Sequence, residues 1–456
     1  MEADPRHKPL ILTGCRRTGK THSVLEFAES HYDRFIHIDF ERDPEKVLLF
    51  EGSLEGDDLL PRLSLSEMVG FGDGDTLIIL DGIQECHNAY SALKPLTIDG
   101  RVDVVAIGSF PEADRDSDDR ISPLGYVNIR QMHPMDFEEY LWAMGVDKGL
   151  IQQAKDCIRQ HIPLDEGLNT VLTDHYRRFM VIGGMPEAVR TFSETQDLAE
   201  VSRILDGVVR VMVEDSDHRS YGMGRTKVRA CMASIPKQLS RQRKAFVYSD
   251  IEGKRNVGSR VYGNSLDWLE DSGVAYRCRN VTEPTIPLSE KAENGCFKVY
   301  MTDTGVLAHL MRDMDPTSII LGDPFTAHGA VLENSILADL LKLGCRPFHH
   351  SKRNSTLEVA FVIGDRGRVR LIEVKSGQDG RAKALRTLIK QRADDRDGFK
   401  VMMGNIMTED NGIIRLPIYA FGLMEPKIME NVPPAPDAEE VNRVFEQYKR
   451  RSENRV

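Results

Sequence analysis

Gly14-Cys15-Arg16-Arg17-Thr18-Gly19-Lys20-Thr21 decides the reading of this chain. The octet has the form G-x-x-x-x-G-K-T, a loop whose backbone N–H groups cradle a polyphosphate. Gly14 and Gly19 let the backbone bend, and Cys15, Arg16, Arg17 and Thr18 fill the turn between them. Lys20 carries a positive charge to the β and γ phosphates, and Thr21 offers a hydroxyl to Mg2+. The flanks agree with the motif. Pro9–Thr13 is a short apolar strand, and Thr21–Ser30 places Val24, Leu25 and Ala28 on one helical face. Strand, glycine loop and helix in that order set the partial positive charge of a helix N-terminus beneath the phosphates.

Working outward, Phe35–Phe40, Leu77–Leu80 and Val102–Ile107 are further apolar runs separated by helical or loop segments. Runs apolar on both faces predict a parallel sheet covered by helices, an α/β class. Leu77-Ile-Ile-Leu-Asp81 ends a neighbouring strand on an acid, the place from which Mg2+ is held through water. Hydrolysis also needs a group that orients the attacking water. Gln84 and Glu85 lie close to Asp81, and the strand Val102–Ile107 runs into Gly108-Ser109, where a polar side chain reaches a γ-phosphate. Lys20, Asp81, Gln84 and Ser109 are thus the catalytic candidates, with Thr21 and Asp81 as the metal pair.

The composition is that of an ordinary globular chain: 456 residues, 41% hydrophobic and 29% charged, enough for several domains. A net charge of −11 argues against whole-protein affinity for nucleic acid. The seven cysteines are scattered without a C-x-x-C, so neither a disulfide framework nor a zinc site is expected. The N-terminus is polar and no apolar run is long enough for a bilayer, so the expectation is a cytoplasmic protein with no membrane partner.

Beyond residue 110 the chain changes character several times. Glu112–Arg120 is a charge run read as a solvated loop. Phe137, Tyr140, Leu141 and Met144 fall at helical spacing ahead of Gly145, and 150–210 reads as helical except at Val181–Pro186, a helical lid. From Arg219 to Arg260 there are eleven basic and two acidic residues, a local +9 inside an acidic chain. Two short helical patterns, a helix at Leu266–Gly273 and an alternating strand at Val274–Arg279 suggest a winged-helix-like module. Its cations are either a DNA phosphate-binding patch or a solvated face that pairs with the acidic remainder. Residues 297–425 form a second mixed α/β stretch. After Pro433–Pro436, Val441, Val444, Phe445 and Tyr448 make an amphipathic stripe. The expected domains are 1–215, a nucleotide-binding domain with lid; 216–290, the basic module; 291–425, a second α/β domain; and 426–456, a tail.

Several stretches together, in one order, resemble a known family. They are Leu10–Thr21, Phe35–Phe40, Leu77–Gln84, Ile107–Ser109, Pro134–Gly145, Gly183–Ala188, Ile235–Leu239, Phe246–Ser249, Leu266–Gly273, Phe297–Gly305, Gly329–Asn334 and Ile372–Gly377. The chain resembles prokaryotic two-part ATPases, an AAA-type P-loop domain followed by a C-terminal domain similar to the restriction-endonuclease-like (PD-(D/E)xK) fold. The resemblance implies ATP with Mg2+. It also exposes three departures. The family's Asp-Glu-Ile-Gln reads Asp81-Gly82-Ile83-Gln84, without the water-activating Glu. A family Gly-Arg, carrying a charge-stabilising arginine, reads Gly125-Tyr126, with Arg120 and Arg130 as candidate replacements. In the nuclease-like part, Glu333 and Glu373-Val-Lys375 match, but the Asp of the family's Glu-Val-Asp-Phe is Ala360, with Glu358 two residues earlier. Glu333, Glu373 and Lys375 therefore read as a remnant site.

These residues expect an ATP-binding module of slow turnover, in which Gly82→Glu raises the rate. The alternatives are an active ATPase working on nucleic acid through the basic segment, a scaffold for a protein partner, and, ranked last, an ATP-gated nuclease.

Overall fold

In the computed structural model the apolar runs read from the sequence are strands. The structure describes residues 8–70, 76–108, 125–218, 224–254, 258–311, 314–322, 326–352, 357–365, 367–376, 382–391, 396–409 and 412–425. Ser109, Arg120, the charge run Glu112–Arg120, Arg219, Arg255 and the tail 426–456 lie outside the described residues.

The first elements are β1 (Leu10–Thr13), α1 (Lys20–His31), β2 (Arg34–Asp39), α2 (Gly56–Glu67), β3 (Thr76–Asp81), α3 (His87–Asp99), β4 (Asp103–Ile107) and β5 (Asn128–Gln131). The strands form one sheet in the order β2-β3-β4-β1-β5, with all pairings parallel. Alternation along β3 shows why. Leu77 and Ile79 pack with Val24 and Ala28 of α1 on one face. Ile78 and Leu80 pack with Leu59, Leu63, Leu93 and Leu96 of α2 and α3 on the other. A strand buried on both faces carries apolar side chains at every position. Each such side chain contributes about 1.5–3 kcal/mol by leaving water. Strand β5 was not read from the sequence. Asn128-Ile-Arg-Gln131 is exposed along its length and has no apolar run, as an edge strand allows. Parallel strands place their C-terminal ends on one edge, and the loops that follow β1, β2, β3 and β4 gather there.

Next come α4 (Phe137–Ala143), α5 (Lys148–Gln160), α6 (Glu166–Ile182), α7 (Pro186–Thr195) and α8 (Leu198–Glu214). Helix α4 begins in a reciprocal cap, with Asp136 accepting from Glu139 N and Glu139 accepting from Asp136 N. The stretch expected to be helical with one break has two more, at His161 and Gln196. Both adopt positive φ and end their helices without glycine.

The remaining elements are α9 (Arg225–Leu239), α10 (Ser249–Glu252), α11 (Ser259–Asp271), β6 (Ala275–Val281), β7 (Ala292–Met301), α12 (Thr304–Leu310), α13 (Pro316–Leu321), α14 (Thr326–Lys342), β8 (Phe348–Ser351), β9 (Glu358–Asp365), β10 (Arg368–Val374), α15 (Lys383–Gln391), β11 (Arg396–Val401), β12 (Met407–Thr408) and β13 (Ile414–Leu416). Strands β6 to β13 make a mixed sheet in the order β12-β13-β11-β10-β9-β8-β6-β7.

The chain divides into two compact units, each assembled from three stretches. The first takes 1–146, 175–277 and 298–335; the second takes 147–174, 278–297 and 336–456. The second has its own apolar core around Val359, Val362, Leu371, Leu385 and Leu388. No helix among the described residues is long and apolar enough to cross a membrane.

Within the first unit, two glycines and a buried carboxylate hold α7 in place. Gly184 N donates to Asp303 Oδ2 at 2.7 Å, and Gly184 O accepts from Met135 N at 2.7 Å. Asp303 Oδ1 also caps α12 through Val306 N at 2.8 Å. A Cβ on Gly305 would lie 2.2 Å from Ile182 O, and one on Gly184 would lie 2.0 Å from Met135 O. Only glycine fits at either place, which gives the Gly183–Pro186 break its physical reason.

Candidate nucleotide-binding site

The loop Gly14–Gly19 leaves β1 and enters α1 at the gathered strand edge. Gly14 has φ +132 and Gly19 φ +93, conformations that glycine adopts freely. A Cβ on Gly14 would strike Met132 O at 2.2 Å. Arg17, at φ 69, takes a left-handed turn without being glycine. Thr18 Oγ1 donates to Cys15 O at 2.9 Å and fastens the loop across its own turn. Burial pushes the Cys15 thiol up to about 12, so it stays a neutral packing group.

Lys20 Nζ donates to Gly14 O at 3.0 Å and Cys15 O at 2.7 Å. Burial holds its pKa below the ordinary lysine value, with nearby Arg16 acting in the same direction. Thr21 Oγ1 donates to Asp81 Oδ2 at 2.7 Å. Burial raises the Asp81 pKa, but the nearby His37 and the hydrogen bond from Thr21 outweigh it and leave the carboxyl below its usual value. His37 Nε2 stands 3.6 Å from Asp81 Oδ2, and His37, Asp39 and Asp81 offer ligand atoms within 4.8 Å of one another. A hydroxyl and carboxylates meeting at one point suit a hard cation such as Mg2+, which prefers oxygen donors.

The remaining loop residue, Arg16, is tied to two other elements. Its Nη1 and Nη2 donate to Glu41 Oε2 and Oε1 at 2.9 and 2.6 Å, and its Nε donates to Asp215 Oδ1 at 2.6 Å. Glu41 lies two residues beyond β2, and Asp215 follows α8. Gln84 Nε2 donates to Glu41 Oε1 at 3.0 Å. Gln84 faces the phosphate loop, whereas Glu85 lines an adjoining cavity with Glu214 and Asp215. Gly82 has φ +68, and a Cβ there would come within 3.0 Å of Glu41 Cγ. The structure therefore changes the expectation for Gly82→Glu. That side chain meets Glu41 and strains the backbone, so it adds no free carboxylate.

The loop opens into a cavity of about 960 Å3 that holds Asp39, Glu41, Asp81, Gly82, Gln84 and Gly108 on the strand side. Pro186, Glu187 and Arg190 of α7 line it opposite, and Arg17 reaches Glu187 at 3.7 Å. Arg130 sits exposed on β5 and is not among the lining residues. Sequence reading missed Glu41, Asp215 and Arg190. The signals were an acid just past the end of β2 and a basic residue two positions beyond the Gly183–Ala188 stretch.

Residues 6–141 match the AAA domain family. That match covers the parallel sheet, the Gly14–Thr21 loop and Asp81. Residues 173–317 match a domain of unknown function (DUF8612), and residues 328–421 match another (DUF4143). Among solved structures the chain is similar to Cdc6p from Pyrobaculum aerophilum, at 15% identity over 69% of this chain and 87% of that one, with a TM-score of 0.23. It is also similar to the Aeropyrum pernix ORC1 protein in complex with DNA, at 13% identity over 70% and 88%, TM-score 0.26. Protein VC1899 from Vibrio cholerae covers 91% of this chain and 96% of its own at 10% identity, TM-score 0.19. None of the curated proteins matches the chain.

Glu333, Glu373 and Lys375 lie outside the residues that the AAA domain family matches. Glu333, on α14 in the first unit, accepts from Lys298 Nζ at 3.1 Å and from Tyr300 Oη and Lys244 Nζ. Burial raises its pKa, but Lys244 and Lys298 overcome that and hold it well below the carboxylate range. Both oxygens are thus committed to cations of the protein itself. Glu373 and Lys375 belong to the second unit and pair with each other at 2.6 Å. Ile372 stands opposite Phe361, which places Ala360 across from Glu373 in the same antiparallel register.

In the basic segment, Arg241 pairs with Asp250, Lys244 with Glu333 and Lys254 with Glu252. Helix α9 buries Val228, Cys231, Met232, Ile235 and Leu239 and leaves Arg225, Lys227, Arg229 and Lys237 exposed. The segment is divided: some cations hold structure and others face solvent.

Proposed function

We propose that this is a Mg-ATP-binding P-loop protein of the AAA type with slow turnover. The observation that carries the proposal is the Gly14–Thr21 loop with Thr21 and Asp81 joined at 2.7 Å. In this reading Lys20 and the loop N–H groups hold the phosphates, while Thr21 and Asp81 hold Mg2+, which neutralises phosphate charge. The choice of ATP over GTP rests on the family resemblance. Slow turnover follows from Gly82, which leaves the strand end without its own carboxylate. Equilibrium binding of a fluorescent ATP analogue beside a phosphate-release assay tests both halves.

Arg190 is the cation that α7 brings to the cavity wall. We assign it the role of sensing the terminal phosphate, so that ATP draws α7 inward and ADP does not. Arg190→Ala is expected to weaken ATP about tenfold, near 1.4 kcal/mol, and ADP by less than threefold. Equal weakening of both nucleotides would remove that role.

A second reading is favoured by the exposed cations of α9. The functional modules proposed are 1–215, 216–290 and 291–425, with the middle one binding DNA phosphates. The loss of metal-binding capacity at Glu333 and Ala360 leaves the third, nuclease-like in this reading, without cutting activity. Arg241 and Lys244 are spent on ion pairs, so the informative variant is Lys227, Arg229 and Lys237→Ala together. It should weaken duplex DNA binding at least tenfold and lower the salt slope by roughly one for each phosphate no longer neutralised. An unchanged slope in a fluorescence-anisotropy titration excludes this face as the DNA site.

A further inference from the structure

We infer that Glu41 is the carboxylate that orients and deprotonates the attacking water, and that Arg16 restrains it. The inference rests on the Mg-ATP reading above. Three observations place Glu41 there. It lies on the wall of the phosphate cavity beside Asp81. Its Cγ is 3.0 Å from where a side chain at residue 82 would begin, so it fills the space that Gly82 leaves. Its backbone is anchored, because Asp39 Oδ1 accepts from Glu41 N at 3.0 Å.

A carboxylate in that space can take a proton from water. As the water oxygen bonds to the γ-phosphorus, the bond from that phosphorus to the ADP oxygen breaks and one water proton passes to Glu41. The products are ADP and inorganic phosphate, and Glu41 returns its proton to solvent or phosphate. Both Glu41 oxygens are engaged by Arg16, and one of them also by Gln84. Arg16 is itself part of the phosphate loop. An anion in the cradle competes with Glu41 for that guanidinium, so filling the site frees the base. Slow turnover is then a property of the Arg16 pair as well as of Gly82.

The test compares wild type with Glu41→Gln and Glu41→Asp on the full chain. Three readouts are taken: affinity for a fluorescent ATP analogue, single-turnover hydrolysis of γ-labelled ATP, and the nucleotide recovered from the protein after incubation. Glu41→Gln is expected to keep affinity within threefold, to slow hydrolysis at least 100-fold and to yield ATP where wild type yields ADP. Glu41→Asp keeps the charge facing Arg16 but retracts the carboxylate by one methylene. It should fall between the two, and it serves alone if the Gln variant does not fold. Wild-type rates in both variants overturn the inference, as does a wild type that binds ATP yet never cleaves it. A matching loss of affinity and rate in the variants overturns it too, because Glu41 would then be a structural partner of Arg16. A wild type that fails to bind the analogue overturns the Mg-ATP reading instead.

Discussion

Lys20→Ala should lower Mg-ATP affinity at least 100-fold while leaving the fold intact. The ammonium is half-enclosed by the loop, bonded to Gly14 O and Cys15 O, and carries no packing load in the apolar core. Removing it deletes a charge from the site proposed to hold the phosphates. Charge-assisted hydrogen bonds to phosphate are about twice as strong as neutral ones, and 100-fold corresponds to about 2.7 kcal/mol. Titration of the variant with the same fluorescent analogue measures the loss, and an unchanged circular dichroism spectrum shows that the fold survives. Retained affinity would mean that the nucleotide does not engage the loop.

The second large effect falls on the joint that holds α7. Gly305→Ala places a methyl 2.2 Å from Ile182 O and 2.6 Å from Gly183 N, both backbone atoms with no side-chain freedom to yield. Overpacking of this kind costs about 1–3 kcal/mol, and more where the obstacle is backbone. A Tm lowered on the order of 5–10 °C is expected for a unit of this size. ATP affinity should fall with it, since Pro186 and Arg190 hang from the same joint. A variant with the wild-type Tm would show that Gly183 and Gly305 do not meet as described.

The parallel-sheet region was largely legible in the sequence because its signals are local. The loop letters, the strand before them and the helix after them lie within about twenty residues, and β2, β3 and β4 each form one apolar run. Strand β5 escaped because an exposed edge strand needs no apolar pattern. Glu41 and Asp215 escaped for another reason. Their meaning lies in a shared partner, Arg16, which is 25 residues from one and 199 from the other. A side chain that matters through a distant ion pair leaves no periodicity to read. The same holds for the basic segment, where eleven like charges looked uniform. Only the fold separates Arg241 and Lys244, which neutralise Asp250 and Glu333, from the exposed cations of α9. Gly82 was seen as a missing carboxylate, and the crowding of its would-be side chain by Glu41 became visible only in three dimensions.

The claim on which the rest depends is that the edge of the parallel sheet is a Mg-nucleotide site. Calorimetric titration of ATP into the 456-residue chain, with and without Mg2+, tests it most directly. One site per chain, micromolar affinity and at least tenfold weaker binding when Mg2+ is removed are expected, since Thr21 and Asp81 then have no cation to share with the phosphates. Absence of binding, or an affinity indifferent to Mg2+, would contradict it.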